Sequence, residues 1–215
     1  MKRMIKQAAL FRDLMTLALV LLWSGPGFAE SEGDLEILLF GDSLAAGYGL
    51  SAEDGLTAQL QARLNSEGVQ ALVKNGGVSG DTTAGGLSRL DWALSAGTDV
   101  VILVLGGNDA MRGLTPSQSQ SNLDALLAKL ATREVKILLT GMRAPPNLGP
   151  DYAAAFEPMY QALAKKHDVA LYPFILEGVA ADPALNQGDG IHPNAAGVEV
   201  IVDGLTPLLL PLLQN

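Results

Sequence analysis

Leu35-Glu36-Ile37-Leu38-Leu39-Phe40-Gly41-Asp42-Ser43 is a short aliphatic run closed by glycine and aspartate. Such a run reads as a buried strand ending in a turn, with Gly41 giving the turn its freedom and Ser43 carried to the strand's C-terminal end. In an open α/β sheet, that end is where ligands bind. A serine there has two ordinary uses. It caps the following helix, or it acts as a nucleophile beside the unpaired N–H groups and positive dipole end of that helix. This stretch alone leaves both open.

Working outward, the same alternation recurs. Strand-like runs at Val69–Lys74, Asp99–Leu105, Val135–Thr140 and Val169–Tyr172 are separated by helix-like segments at Leu56–Ser66, Thr83–Ser95, Pro116–Thr132 and Tyr152–Lys166. A last helix follows Asn194 and is expected to end near Pro207 or Pro211. Leucines three and four apart mark the helices, as at Leu56, Leu60 and Leu64, or Leu123, Leu126, Leu127 and Leu130. Five aliphatic strands separated by helices argue for a parallel sheet covered on both faces, a three-layer α/β/α domain over residues 30–215. Every strand-to-helix loop of such a sheet opens at one rim. Ser43, the Gly76–Gly80 loop, Asn108 and the Gly141–Pro150 loop are then neighbours by topology.

With 215 residues, 48% hydrophobic and 17% charged, the chain can bury a full core. Its formal net charge of −9 argues against a nucleic-acid face or attraction to anionic headgroups. There is no cysteine, which removes thiol nucleophiles, thiolate metal sites and disulfides. Lys2, Arg3, Lys6 and Arg12 precede the apolar run Met15–Trp23, and Ser24–Ala29 offers small residues before a cleavage point after Ala29. Residues 1–29 therefore read as a secretory signal peptide, because the run is well short of the roughly 20 residues of a spanning helix; the competing reading is an uncleaved N-terminal anchor. An exported protein, periplasmic or secreted, with no integral span after cleavage is expected; a monomer is expected too.

A serine nucleophile needs a histidine base, a group to orient that base, and donors for the oxyanion. His167 and His192 are the two histidines present. His167 falls at a helix end on the helix-to-strand side, the wrong edge of the sheet, and reads as a solvated C-terminal residue. His192 lies in a Gly- and Pro-framed loop, and Asp189, three residues earlier, can fold back onto its Nδ1–H. Asn108 follows Gly106-Gly107 at a strand end and offers an amide donor, unless it is simply a turn residue. The backbone N–H groups of Gly80 and Ser43 are further donors.

Gly41-Asp42-Ser43-Leu44, Ser79-Gly80-Asp81-Thr82, Gly107-Asn108-Asp109 and Asp189-Gly190-Ile191-His192-Pro193 resemble, in order, the four sequence blocks of the GDSL, or SGNH, hydrolases. Within that family the chain is similar to the bacterial periplasmic thioesterase I/lysophospholipase L1 and arylesterase branch. Arg143-x-Pro145-x-Asn147-x-Gly149 fits that branch as well. The resemblance implies a flavodoxin-like five-stranded sheet, with no metal and no cofactor. It implies Ser43 as nucleophile, His192 as general base and acid, and Asp189 as orienter. It also implies an oxyanion hole of Ser43 N–H, Gly80 N–H and the Asn108 amide.

The implied activity is hydrolysis of small-molecule esters or thioesters: aryl or acyl esters, acyl thioesters, lysophospholipids. Met111, Leu114, Met142, Pro145, Pro146 and Leu148 all fall in rim loops and are candidates for an acyl groove. Two other readings share the fold, a carbohydrate O-acetylesterase and a non-catalytic binding protein. An ordinary α/β-hydrolase elbow, Gly-x-Ser-x-Gly, is absent, as are a phosphate loop and a complete dinucleotide fingerprint.

Overall fold

The computed structural model describes residues 35–214. The signal-peptide expectation, residues 1–29, lies outside them. Among the described residues, five strands form one sheet: β1 (Leu35–Gly41), β2 (Ala71–Gly77), β3 (Thr98–Val104), β4 (Lys136–Thr140) and β5 (Ala170–Tyr172). Their order is β2-β1-β3-β4-β5 and every pairing is parallel, the flavodoxin-like arrangement. The connecting helices are α1 (Ser43–Ala46), α2 (Leu56–Ser66), α3 (Thr83–Ala93), α4 (Gly107–Met111), α5 (Pro116–Ala131), α6 (Gly149–Phe156), α7 (Pro158–His167) and α8 (Ala195–Leu209). Helices α2 and α8 pack together, while α5 packs against α3, α6 and α7, which gives the outer layers of an α/β/α sandwich. The central strands read as continuous aliphatic runs because both faces are covered: Ile37, Leu39, Phe40 and Val101–Leu105 are fully buried.

Four differences from the sequence reading have identifiable causes. Strand β2 continues to Gly77, so Asn75–Gly77 is ladder rather than loop, paired with Leu39, Phe40 and Gly41 of β1. A Cβ at Gly77 would collide with the backbone of α1, and one at Gly76 with Leu38, so glycine permits the approach that lengthens the strand. Gly41 itself makes no unusual turn; a Cβ there would collide with the Val104 carbonyl across the β1–β3 pair. The expected helix over 152–166 begins at Gly149 and is divided at Glu157, because Pro158 lacks the N–H that would continue the ladder. Finally, α8 runs through Pro207 and passes into a 3₁₀ turn at Leu210–Leu213. Residues 195–213 are long and apolar enough to cross a membrane by composition alone. In this fold Val198, Ile201, Val202, Leu205 and Leu209 of that stretch are buried in the core.

Candidate active site

The sheet order reverses between β1 and β3, and the site opens where those two strands end. Asp42 follows β1 and caps α1, its Oδ1 accepting the Leu44 N–H at 3.1 Å. Capping therefore falls to Asp42 rather than to Ser43, whose hydroxyl is left for another partner. Helix α1 has only four residues, so its dipole is a small part of Ser43's surroundings.

The partner is His192. Its Nε2 lies 2.9 Å from Ser43 Oγ, and its Nδ1 lies 2.6 Å from Asp189 Oδ2. An ionised carboxylate only accepts, so Nδ1 carries the proton and Nε2 is free to accept from the serine hydroxyl. Asp189 Oδ1 also accepts the N–H groups of Ile191 and His192, at 2.9 and 3.0 Å. Those backbone donors, together with the imidazole, hold the carboxyl down at a pKa of about 2.

The histidine loop is built by short-range bonds. Asn186 and Pro193 form an isolated antiparallel bridge, and the Gln187 N–H donates to the His192 carbonyl at 2.8 Å. Gln187 Nε2 donates to the carbonyls of Tyr48 and Pro193, at 2.8 and 2.9 Å, so the loop is stapled to the turn after Ser43. The Tyr48 ring lies against the imidazole with centroids 4.6 Å apart.

Asn108 sits in α4, reached through Gly106 at φ +115°, where a Cβ would collide with the Tyr160 hydroxyl. Its Nδ2 donates to Asp42 Oδ2 at 3.3 Å, leaving the amide's second N–H for another acceptor. Asp42 is 2% exposed, and desolvation raises its pKa to about 6 despite the Leu44, His192 and Asn108 contacts that lower it. Gly80 has φ +82°, and its carbonyl accepts from Arg112 Nη2 at 2.7 Å.

A cavity of about 650 Å³ opens at Ser43 and His192. Met111, Met142, Pro145, Pro146 and Leu148, the candidates for an acyl groove, are among the residues that line it. Leu114 is not among its lining: it lies past the end of α4, and its carbonyl accepts the Tyr152 hydroxyl at 2.7 Å. Phe174, Leu176, Ala180 and Ile191 complete the wall from segments that carry no periodic signal in the sequence. His167 is far from solvated. Its side chain is 13% exposed, with Nε2 2.6 Å from Asp124 on α5, a contact that no local pattern announces. Among the described residues, no group of three or more histidines and carboxylates could hold a metal ion.

A carboxylate–imidazole–hydroxyl relay at the carboxyl edge of a doubly wound parallel sheet is the arrangement of a serine hydrolase. The comparisons narrow that class. The model of the GDSL-like lipase/acylhydrolase family matches residues 39–200, and the chain belongs to that family. It is similar to esterase TesA of Pseudomonas aeruginosa, 41% identical over 198 residues, which span 92% of this chain and 96% of that protein. It is also similar to thioesterase 1/protease 1/lysophospholipase L1 of Escherichia coli, 39% identical over 180 residues, 83% of this chain and 85% of that one. Among solved structures, the psychrotrophic esterase EstA from Pseudoalteromonas sp., inhibited by monoethylphosphonate, aligns with a TM-score of 0.79 at 32% identity, over 85% of this chain and 100% of that one.

Proposed function

We propose that this chain hydrolyses carboxylic esters and thioesters through an acyl-enzyme on Ser43. The observation that carries this reading is the unbroken relay from Asp189 through His192 to Ser43 Oγ. Ser43 Oγ attacks the substrate carbonyl while His192 Nε2 takes its proton. The tetrahedral oxyanion accepts from Ser43 N–H, Gly80 N–H and the free N–H of the Asn108 amide. Collapse of the intermediate expels the alkoxide or thiolate, which receives the proton from His192. Water then attacks the acyl-enzyme with His192 again as base, releasing the carboxylic acid and restoring Ser43. Asp189 holds the imidazole in the required tautomer and faces its positive charge in both steps.

The apolar wall of Met111, Met142, Pro145 and Leu148 supports an acyl chain as the bound group. The names of the relatives, an esterase and a thioesterase/lysophospholipase, support both classes of leaving group. In this reading residues 1–29 are an export signal, and residues 30–215 act as one monomeric domain outside the cytoplasm.

The test is hydrolysis of p-nitrophenyl esters from acetate to palmitate by the chain beginning at Glu30, alongside Ser43→Ala. Turnover that requires Ser43 and labelling of Ser43 by a fluorophosphonate are expected. The chain-length optimum then separates a short-ester arylesterase from a lipid or thioester hydrolase. A folded protein that neither turns over the series nor takes up the probe would sink the proposal in favour of a binding protein. Activity confined to acetylated sugars would move the substrate class instead.

A further inference from the structure

Three charged side chains that take no part in the relay converge on the turn carrying Gly80. Arg89 of α3 donates from Nε to the Asp81 carboxylate at 2.6 Å, and from its two terminal nitrogens to the carbonyls of Gly76 and Gly41 at 2.9 Å each. Asp109 of α4, 1% exposed, accepts the Thr83 N–H at 2.8 Å, the Thr83 hydroxyl at 2.5 Å and the Ser119 hydroxyl at 3.0 Å. Between these anchors, Arg112 Nη2 donates to the Gly80 carbonyl. Arg112 is the C-cap of α4, and its own N–H donates to the Asn108 carbonyl at 3.1 Å. The side chains that hold the Gly80 turn and the start of α3 from α4 thus share a short helix with Asn108.

Oxyanion donors are effective only when their spacing suits the tetrahedral oxygen, and small displacements forfeit much of the effect. Gly80 has a left-handed backbone and no side chain, so nothing of its own sets how its peptide units face the site. A guanidinium donating to its carbonyl makes a charge-assisted bond, stronger than one between neutral groups.

We propose that Arg112 is a positioning residue for oxyanion stabilisation: by holding the Gly80 carbonyl from the helix that bears Asn108, it sets the spacing of those two donors. Asp109 supports the same geometry by fixing the first residue of α3. The inference rests on the oxyanion roles given to Gly80 and Asn108 above. Arg112 is exposed, so its removal leaves no cavity in the core.

The experiment compares wild type, Arg112→Ala, Arg112→Lys and Asn108→Ala on p-nitrophenyl butyrate, with inhibition by a trifluoromethyl ketone that adds to the serine as a tetrahedral oxyanion. Arg112→Ala is expected to lower kcat by about ten-fold with KM within two-fold, and to weaken the ketone in proportion, at unchanged Tm. Lysine should restore part of both. Asn108→Ala alone should lose more, roughly 10²–10³-fold, and the double variant less than the product of the two losses. Unchanged kcat and ketone affinity in Arg112→Ala would overturn the inference. So would a loss seen only in KM, with kcat and ketone affinity unchanged, which would make Arg112 a substrate-binding residue. Absence of Ser43-dependent turnover in wild type removes the underlying function, and this inference with it; an active wild type beside an equally active Arg112→Ala removes this inference alone.

Discussion

The two halves of the site are built by opposite means. Ser43 and Asn108 stand where β1 and β3 end, each 8% exposed, and glycines let the chain pack closely there, Gly41 and Gly77 against backbone and Gly106 against the Tyr160 hydroxyl. His192 and Asp189 belong to a surface loop near the other end of the chain, with the Asp189 side chain 36% exposed and its bonds made within three residues. Close packing makes the first half rigid but dry, and the Asp42 carboxyl in it is pushed up to about 6. The second half stays wet, and its carboxylate is held down at about 2 by donors that the loop itself supplies. In the roles proposed for them, Ser43 and Asn108 gain from low dielectric, where hydrogen bonds count for more. A carboxylate that must stay charged beside an imidazole gains from solvent and local N–H groups.

The largest effect would come from cutting the bond that joins the halves. Ser43→Ala and His192→Ala are each expected to lower kcat by roughly 10⁴-fold or more, and the double variant to be no worse than the poorer single. Multiplicative losses in steady-state assays would mean that the halves act independently.

Next is the charge buried in the sheet-rooted half. A carboxyl whose folded pKa lies above its unfolded value binds protons more readily when folded, so the stability it confers falls as pH rises from about 4 to about 6. Between pH 3.5 and pH 8, the stability of Asp42→Asn relative to wild type should shift in the variant's favour by about 3 kcal/mol. Urea melts at the two pH values measure it, and a shift below about 1 kcal/mol would show that Asp42 is not desolvated in solution. Asp189 behaves in the reverse sense. Its contribution is present above the unfolded pKa and is lost as pH falls through about 2.

The smallest expected effect lies at the staple between the halves. Gln187→Ala removes the bonds to the Tyr48 and Pro193 carbonyls, and kcat should fall by about three- to ten-fold with Tm nearly unchanged. If kcat holds while Tm drops by several degrees, Gln187 supports the fold and not the placement of His192.

Much of the architecture was legible because its signals are local. Aliphatic runs marked the five strands, and leucine spacing placed α2 and α5 almost to the residue. Departures came where a neighbouring element decided the outcome. At Asn75–Gly77 strand β1 recruited a stretch that reads as loop. At Pro158 one missing N–H divided a helix whose apolar pattern runs on without a break. In the site, Ser43, Asn108, Asp189 and His192 could be named because each stands in a short block of recognisable composition. Leu114 was drawn in by the same rim topology, yet its position beyond α4 keeps it out of the cavity lining.

By itself, the sequence determined the strand-helix alternation, the strands buried on both faces, and the sharing of one rim by the strand-to-helix loops of Ser43, Gly80 and Asn108. Those properties follow from hydrophobic period, glycine and proline placement, and parallel topology, all readable along the chain. Tertiary structure alone decided that Asp42 faces Asn108, that Arg89, Asp109 and Arg112 grip the Gly80 turn, and that Gln187 ties the histidine loop to Tyr48. Apart from the Arg89–Asp81 pair, 8 residues apart, these hydrogen bonds join polar groups 26 to 139 residues apart. A polar residue has no periodic signature of its partner, and only packing brings the two within hydrogen-bond reach.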